Sequence, residues 1–85
     1  MSVSLRAEVS MATSALGAVL LDERTGKYWQ LNRSGKQVLE TLLAGGTLPD
    51  VVAAVTSVYR ADPDTVAADA EDLVAHLLSS GLITR

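Results

Sequence analysis

Asp69, Asp72 and His76 are the residues whose types and spacing most suggest side-chain chemistry, because at i, i+3 and i+7 of a helix they align two carboxylates and an imidazole. Such a set can hold a divalent metal. Flexible carboxylates with no further His more often form a solvated stripe, so no metal is expected. A general acid–base pair or a nucleophile needs partners within hydrogen-bond reach in a water-poor pocket. His76 is the only histidine and falls on the wet side of its helix, while Ser34 in Arg33-Ser34-Gly35 is accounted for as a helix cap. Gly45-Gly46-Thr47 lacks the Lys-Ser/Thr and the longer glycine-rich loop of a phosphate cradle and reads as a helix–helix connection. No catalytic residue and no cofactor is therefore expected.

The stronger chemistry is that of the backbone. Tyr28-Trp29-Gln30-Leu31-Asn32-Arg33-Ser34-Gly35 reads as a short strand that stops at a helix cap, and it holds two of the three aromatics. A strand at the edge of a small sheet carries free N–H and C=O groups that template pairing with an extended peptide. Lys27, Trp29 and Leu31 share one face of this strand, and Tyr28 and Gln30 the other. A register error of one residue would exchange the faces. Trp29 and Leu31 are read either as core or as peptide contacts, large aromatics in small domains being more often core.

The elements that must position this edge follow from periodicity. Val3, Leu5, Ala7, Val9 and Met11 alternate with polar residues, the period of a half-buried strand. Leu16–Leu21 is a second, more apolar run, closed by the turn cluster Asp22-Glu23-Arg24-Thr25-Gly26, and Lys27–Leu31 returns beside it as a hairpin. Asn32 or Ser34 caps the first helix, with Ser34 and Gln37 spaced as a capping box. That helix carries Val38, Leu39, Leu42 and Leu43 and ends at Gly45-Gly46. Thr47 caps the second, which places Leu48, Val51, Val52, Val55 and Tyr59 on one stripe; Asp62 with Pro63 opens the third. The third helix presents Val66, Ala70, Leu73 and Leu77, widened by Val74 and Leu78, until Gly81 stops it and Leu82-Ile83 folds back as an anchor. The expected fold is α+β: a three-stranded antiparallel sheet followed by three helices, winged-helix-turn-helix-like, in a single domain over residues 1–85.

Composition bounds the function. An 85-residue chain hides only about 60–65% of its extended surface on folding, which leaves no room for a deep catalytic cleft. Cysteine is absent, which excludes disulfides, thiolate zinc sites and a thiol nucleophile and makes the cytoplasm the expected location. No signal-like N-terminus and no long apolar run occurs, so no membrane partner is expected. Residues 1–36 carry five basic and three acidic groups (+2), whereas residues 37–85 carry two basic and seven acidic groups (−5). The carboxylates Asp62, Asp64, Asp69, Glu71 and Asp72 crowd the third helix, where a DNA-reading element needs positive charge. A winged-helix DNA-binding regulator is the disfavoured alternative, and no nucleic-acid partner is expected. Lys27, Arg33 and Lys36 are too few for a nucleic-acid footprint and are candidates to meet a partner enzyme or acidic peptide residues. Weak self-association through the free strand edge is a further expectation.

The run from Tyr28 to Gly35, followed by Val38-Leu39, Leu42-Leu43, Gly45, Thr47, Asp69, Asp72-Leu73, Leu77-Leu78 and Gly81-Leu82-Ile83, resembles the PqqD family over roughly residues 3–83. The resemblance implies a RiPP recognition element, a non-catalytic domain that binds the leader segment of a ribosomally made precursor peptide. The leader would add a strand antiparallel to Lys27–Leu31 and lie against the third helix. The implied peptide-binding residues are Lys27, Tyr28, Trp29, Gln30, Leu31, Val66, Asp69, Ala70, Asp72, Leu73, Val74, His76 and Leu77. A free-standing chain of this length is most similar to the leader-binding component of lasso peptide biosynthesis, whose leaders carry a Tyr-x-x-Pro element and whose processing partner is a separate leader peptidase. The alternative within the family is a peptide chaperone of pyrroloquinoline quinone biosynthesis. The family's helix-start Thr is Ser34 here, which preserves the hydroxyl.

Overall fold

The computed structural model describes residues 2–85. Its elements are β1 (Ser4–Leu5), β2 (Val9–Ser14), β3 (Gly17–Asp22), β4 (Tyr28–Leu31), α1 (Arg33–Leu43), α2 (Leu48–Val58), α3 (Pro63–Ser79) and β5 (Ile83–Thr84). Strands β2, β3 and β4 form an antiparallel meander in that order, and β1 pairs with β5 in a separate two-stranded sheet. The expected α+β order of three antiparallel strands and then three helices is the one observed, with the small terminal sheet added.

That addition corrects the first strand. The alternation from Val3 to Met11 is broken at Arg6–Glu8, where the Val9 N–H donates to the Arg6 carbonyl at 3.0 Å. Val3 is buried and Val9 and Met11 half-buried, but Ala7 is exposed in the turn. The cause lies at the far end of the chain. Leu82 and Ile83 leave α3 extended, and β1 departs from the main sheet to pair with them, Ser4 opposite Thr84 and Leu5 opposite Ile83. The second strand also starts later than the apolar run, because Leu16 sits 74% exposed at the hairpin tip.

Helix boundaries follow local capping chemistry. Asn32 caps α1 by accepting from the Gly35 N–H at 2.9 Å, and the Ser34 hydroxyl donates to the same Asn32 oxygen. The Ser34–Gln37 capping box does not form; Gln37 instead donates to the Ala54 carbonyl at 2.9 Å and ties α1 to α2. Thr47 and Asp50 make a reciprocal box at α2, and Asp62 accepts from the Thr65 N–H at α3. Both Gly45-Gly46 and Gly81-Leu82 close Schellman motifs: Gly46 donates to Thr41 and Gly45 to Leu42, and likewise Leu82 donates to Leu77 and Gly81 to Leu78. The core lies between the sheet and the helices, with Leu20, Leu39, Val51, Leu77 and Ile83 its largest fully buried side chains.

Among the described residues one polar or charged side chain enters this interior. Asp22, 7% exposed, accepts from the N–H groups of Arg24 and Thr25 at 3.0 and 3.4 Å and so holds the β3–β4 turn. Burial pushes its pKa up, but the Arg24 N–H, the Thr25 hydroxyl and N–H and the Arg24 charge together outweigh it, and the carboxyl is held below its ordinary value. A carboxylate depressed in the folded state stabilises the fold above its unfolded pKa, and that contribution is lost as pH falls through the folded one. Urea midpoints measured downward from about pH 5 are therefore expected to fall less steeply in Asp22→Asn, which keeps an oxygen acceptor but does not titrate, than in the parent.

Candidate functional site: an open strand edge over an apolar groove

β4 is an edge strand, and the ladder parity decides which of its backbone groups are free. Asp22 donates to the Lys27 carbonyl at 2.8 Å, so hydrogen-bonded pairs continue at Leu20–Trp29 and Ala18–Leu31 in the observed register. Tyr28 and Gln30 therefore point their N–H and C=O groups away from β3, toward solvent. Side-chain direction follows from the same pairing. Leu20 and Ala18 are buried opposite Trp29 and Leu31, which fixes the Lys27, Trp29 and Leu31 face as the inward one. Leu31 is buried, whereas Trp29 is 36% exposed at the margin of the core; Tyr28, 66% exposed, lies on the outer face with Gln30.

Between this edge and α3 runs a groove of about 500 Å³. Trp29, Gln30 and Leu31 form one wall and Val66, Asp69, Ala70 and Leu73 the other, with Val38 and Val55 also in the lining. Tyr59, Ala61, Asn32, Ser34 and Gly35 complete it. A second cavity of about 510 Å³ lies beneath the β3–β4 turn, lined in part by Lys27, Tyr28, Ser80 and Leu82, and Trp29 borders both. The arrangement can accept an extended chain: outward N–H and C=O groups stand beside a trough that takes alternate side chains.

The structure thus brings together Trp29, Gln30, Leu31, Val66, Asp69, Ala70 and Leu73 in one groove, with Lys27 and Tyr28 at the adjoining cavity. Val74 and Leu77, 8% and 0% exposed, are not among the residues that line the groove, because α3 is packed on more than one side and its apolar stripe is wider than the face open to the groove. Asp72 is exposed outside the groove lining. His76 stands against Trp29, ring centroids 6.2 Å apart, with Nδ1 2.9 Å from the Asp72 backbone oxygen. Among the described residues no three His, Asp or Glu side chains converge to hold a metal.

The Lys36 ammonium donates to the Ser14 carbonyl at 2.8 Å and so ties α1 to the β2–β3 turn. Sequence reasoning missed Val38, Val55, Tyr59 and Ala61 as groove residues. Val38, Val55 and Tyr59 were legible as apolar stripe positions, but only the packing of three helices shows that those stripes end at β4. Among the described residues no helix is long and apolar enough to cross a membrane.

The profile of the family described as coenzyme PQQ synthesis protein D (PqqD) matches residues 17–83. A lasso peptide synthetase B1 solved in complex with the leader peptide is 35% identical, with a TM-score of 0.91 and full coverage of both chains. TbiB1, solved in complex with the TbiA(beta) leader peptide, is 29% identical, with a TM-score of 0.81 over 98% of this chain and 94% of the other. A search of curated proteins found no match.

Proposed function

The chain belongs to the PqqD family, and from that premise we propose that it is a RiPP recognition element of lasso peptide biosynthesis, a non-catalytic domain that binds a precursor's leader by strand addition to β4. The observation that carries this reading is the outward pair of backbone positions, Tyr28 and Gln30, beside the groove between β4 and α3. The two similar structures, each solved with a leader peptide, support it. The backbone ladder supplies sequence-tolerant affinity, and side chains reaching the wall formed by Val66, Ala70 and Leu73 supply discrimination. Asp69, which opens onto the groove, stands where it can accept from a polar or basic leader residue. An exposed pair of that kind contributes about 0–1 kcal/mol, so it tunes specificity more than affinity.

Bound in this way, the leader is presented to a separate leader peptidase in the cytoplasm. The family description also names coenzyme PQQ synthesis, so the alternative pathway is tested in the same experiment. Amide shifts of the labelled protein are recorded against a synthetic leader with a Tyr-x-x-Pro element and against a pyrroloquinoline quinone precursor peptide. Shifts are expected at Lys27–Leu31 and at Val66–Leu73 with the first peptide. Shifts scattered over the surface would refute the groove, and a response to the second peptide alone would move the protein to the other pathway.

A further inference from the structure

The sheet has a second open edge, and its chemistry differs from that of β4. β2 pairs with β3 over six consecutive positions, Val9 opposite Asp22 through Ser14 opposite Gly17. Glu23 donates to the Glu8 carbonyl at 2.9 Å, so by alternation Ser10, Ala12 and Ser14 direct their backbone groups to β3, and Val9, Met11 and Thr13 direct theirs outward. The Val9 N–H is taken by Arg6. Both groups of Met11 and both groups of Thr13 are left facing solvent. Natural edges are usually blunted by Lys, Pro, a bulge or short length. β2, Val-Ser-Met-Ala-Thr-Ser, has none of these, whereas β4 is shorter and is preceded by Lys27.

We propose that β2 pairs antiparallel with β2 of a second copy of this chain, joining two three-stranded sheets into one. The free groups choose the register. If Met11 of each copy faces Thr13 of the other, every outward N–H and C=O of those two residues is used, and the occupied Val9 N–H is not called upon. Shifting so that Met11 faces Met11 would require Val9 to donate twice. The chosen register sets Ala12 opposite Ala12 on the two-fold axis as a non-hydrogen-bonded pair, with Cα atoms about 4.5 Å apart. Every side chain along the seam is uncharged, so two chains of net charge −3 meet without like charges opposed. The β4 edges stay free at the two ends of the joined sheet. A seam of one strand pair covers less than the roughly 1,200 Å² of a stable complex, so the dimer is weak and its population depends on concentration.

Sedimentation equilibrium of the full chain, from low micromolar to near-millimolar, reads the association, and calorimetry with the synthetic leader reads the other edge. The average mass is expected to climb toward twice that of the monomer. Ala12→Lys and Ala12→Glu, both at an exposed position, should each remain monomeric at the top of the range, and an equimolar mixture of the two should associate again. Leader affinity should be unchanged in both variants. A chain that is monomeric throughout, or an Ala12→Lys variant that associates like the parent, overturns the proposal, as does association that saturating leader dissolves, since that would place the contact at β4. Association without any leader binding would uphold the β2 pairing and refute the leader groove instead.

Discussion

Leu73→Glu is expected to weaken leader binding by about two orders of magnitude or more, equivalent to about 3 kcal/mol, while the circular dichroism spectrum and melting temperature stay close to those of the parent. Leu73 is half-buried and forms part of the groove wall facing Trp29 and Leu31. In the free protein a carboxylate at this position reaches water through the open groove. Once a leader strand covers it, the charge is desolvated without a partner, and that cost falls on the complex alone. Leu73→Ala, which removes contact area and adds no charge, should cost less, on the order of tenfold. Retained affinity in a folded Leu73→Glu protein would show that the leader lies elsewhere. Leu77→Glu is not an equivalent test: Leu77 is 0% exposed, so its loss of binding would report only unfolding.

Gly17→Ala should cost about 3 kcal/mol of stability, which corresponds to a melting temperature lower by roughly 12–24 °C for a domain of this size. Gly17 has φ +152°, and a Cβ there would overlap the Leu31 carbonyl oxygen and lie 3.1 Å from the Leu31 carbonyl carbon. Backbone cannot swing aside as a flexible side chain does, so β4 must move away from β3 at the end that leads into the Asn32 cap. Urea denaturation measures the loss. If the groove binds leader only when β4 is in place, leader at a hundred times its dissociation constant restores about 2.7 kcal/mol. An unchanged urea midpoint would mean that the close approach of Gly17 to Leu31 does not constrain the hairpin.

Several of these features were legible because they depend on neighbours in sequence. Thr47 with Asp50, Asp62 with Pro63, and Gly81 with Leu82-Ile83 each carry a complete local hydrogen-bonding program, and each helix begins or ends where that program places it. Competing local programs were harder to rank. Asn32 and Ser34 both offer a cap within three residues; Asn32 takes the Gly35 N–H, leaving Ser34 to donate to it and Gln37 to reach across to α2. Long-range partners left no trace in the alternation of Val3 to Met11, whose period encodes a wet and a dry face but not whether β1 pairs with β2's neighbours or with β5.

The candidate site shows the same division. The free edge of β4 was legible from its residues, whereas its pairing with α3 as two walls was implied only by the family resemblance. Helical periodicity could not separate Leu73, which opens onto the groove, from Val74 and Leu77, which do not, because all three fall within one broad apolar arc. Which face of β4 turns inward was likewise undetermined until Leu20 and Ala18 were found buried opposite Trp29 and Leu31.

The pairing of β1 with β5 has a bearing on where a second protein is best joined to this domain by design. Ser4 and Thr84 are direct strand partners, with Cα atoms about 4.5–5.5 Å apart as in any antiparallel pair. A flexible tether joined at the Ser4 end or at the Thr84 end therefore starts from nearly the same point in space. The local concentration of the joined protein at the groove is then governed by the length and stiffness of the tether, and the order in which the two proteins are joined becomes almost interchangeable.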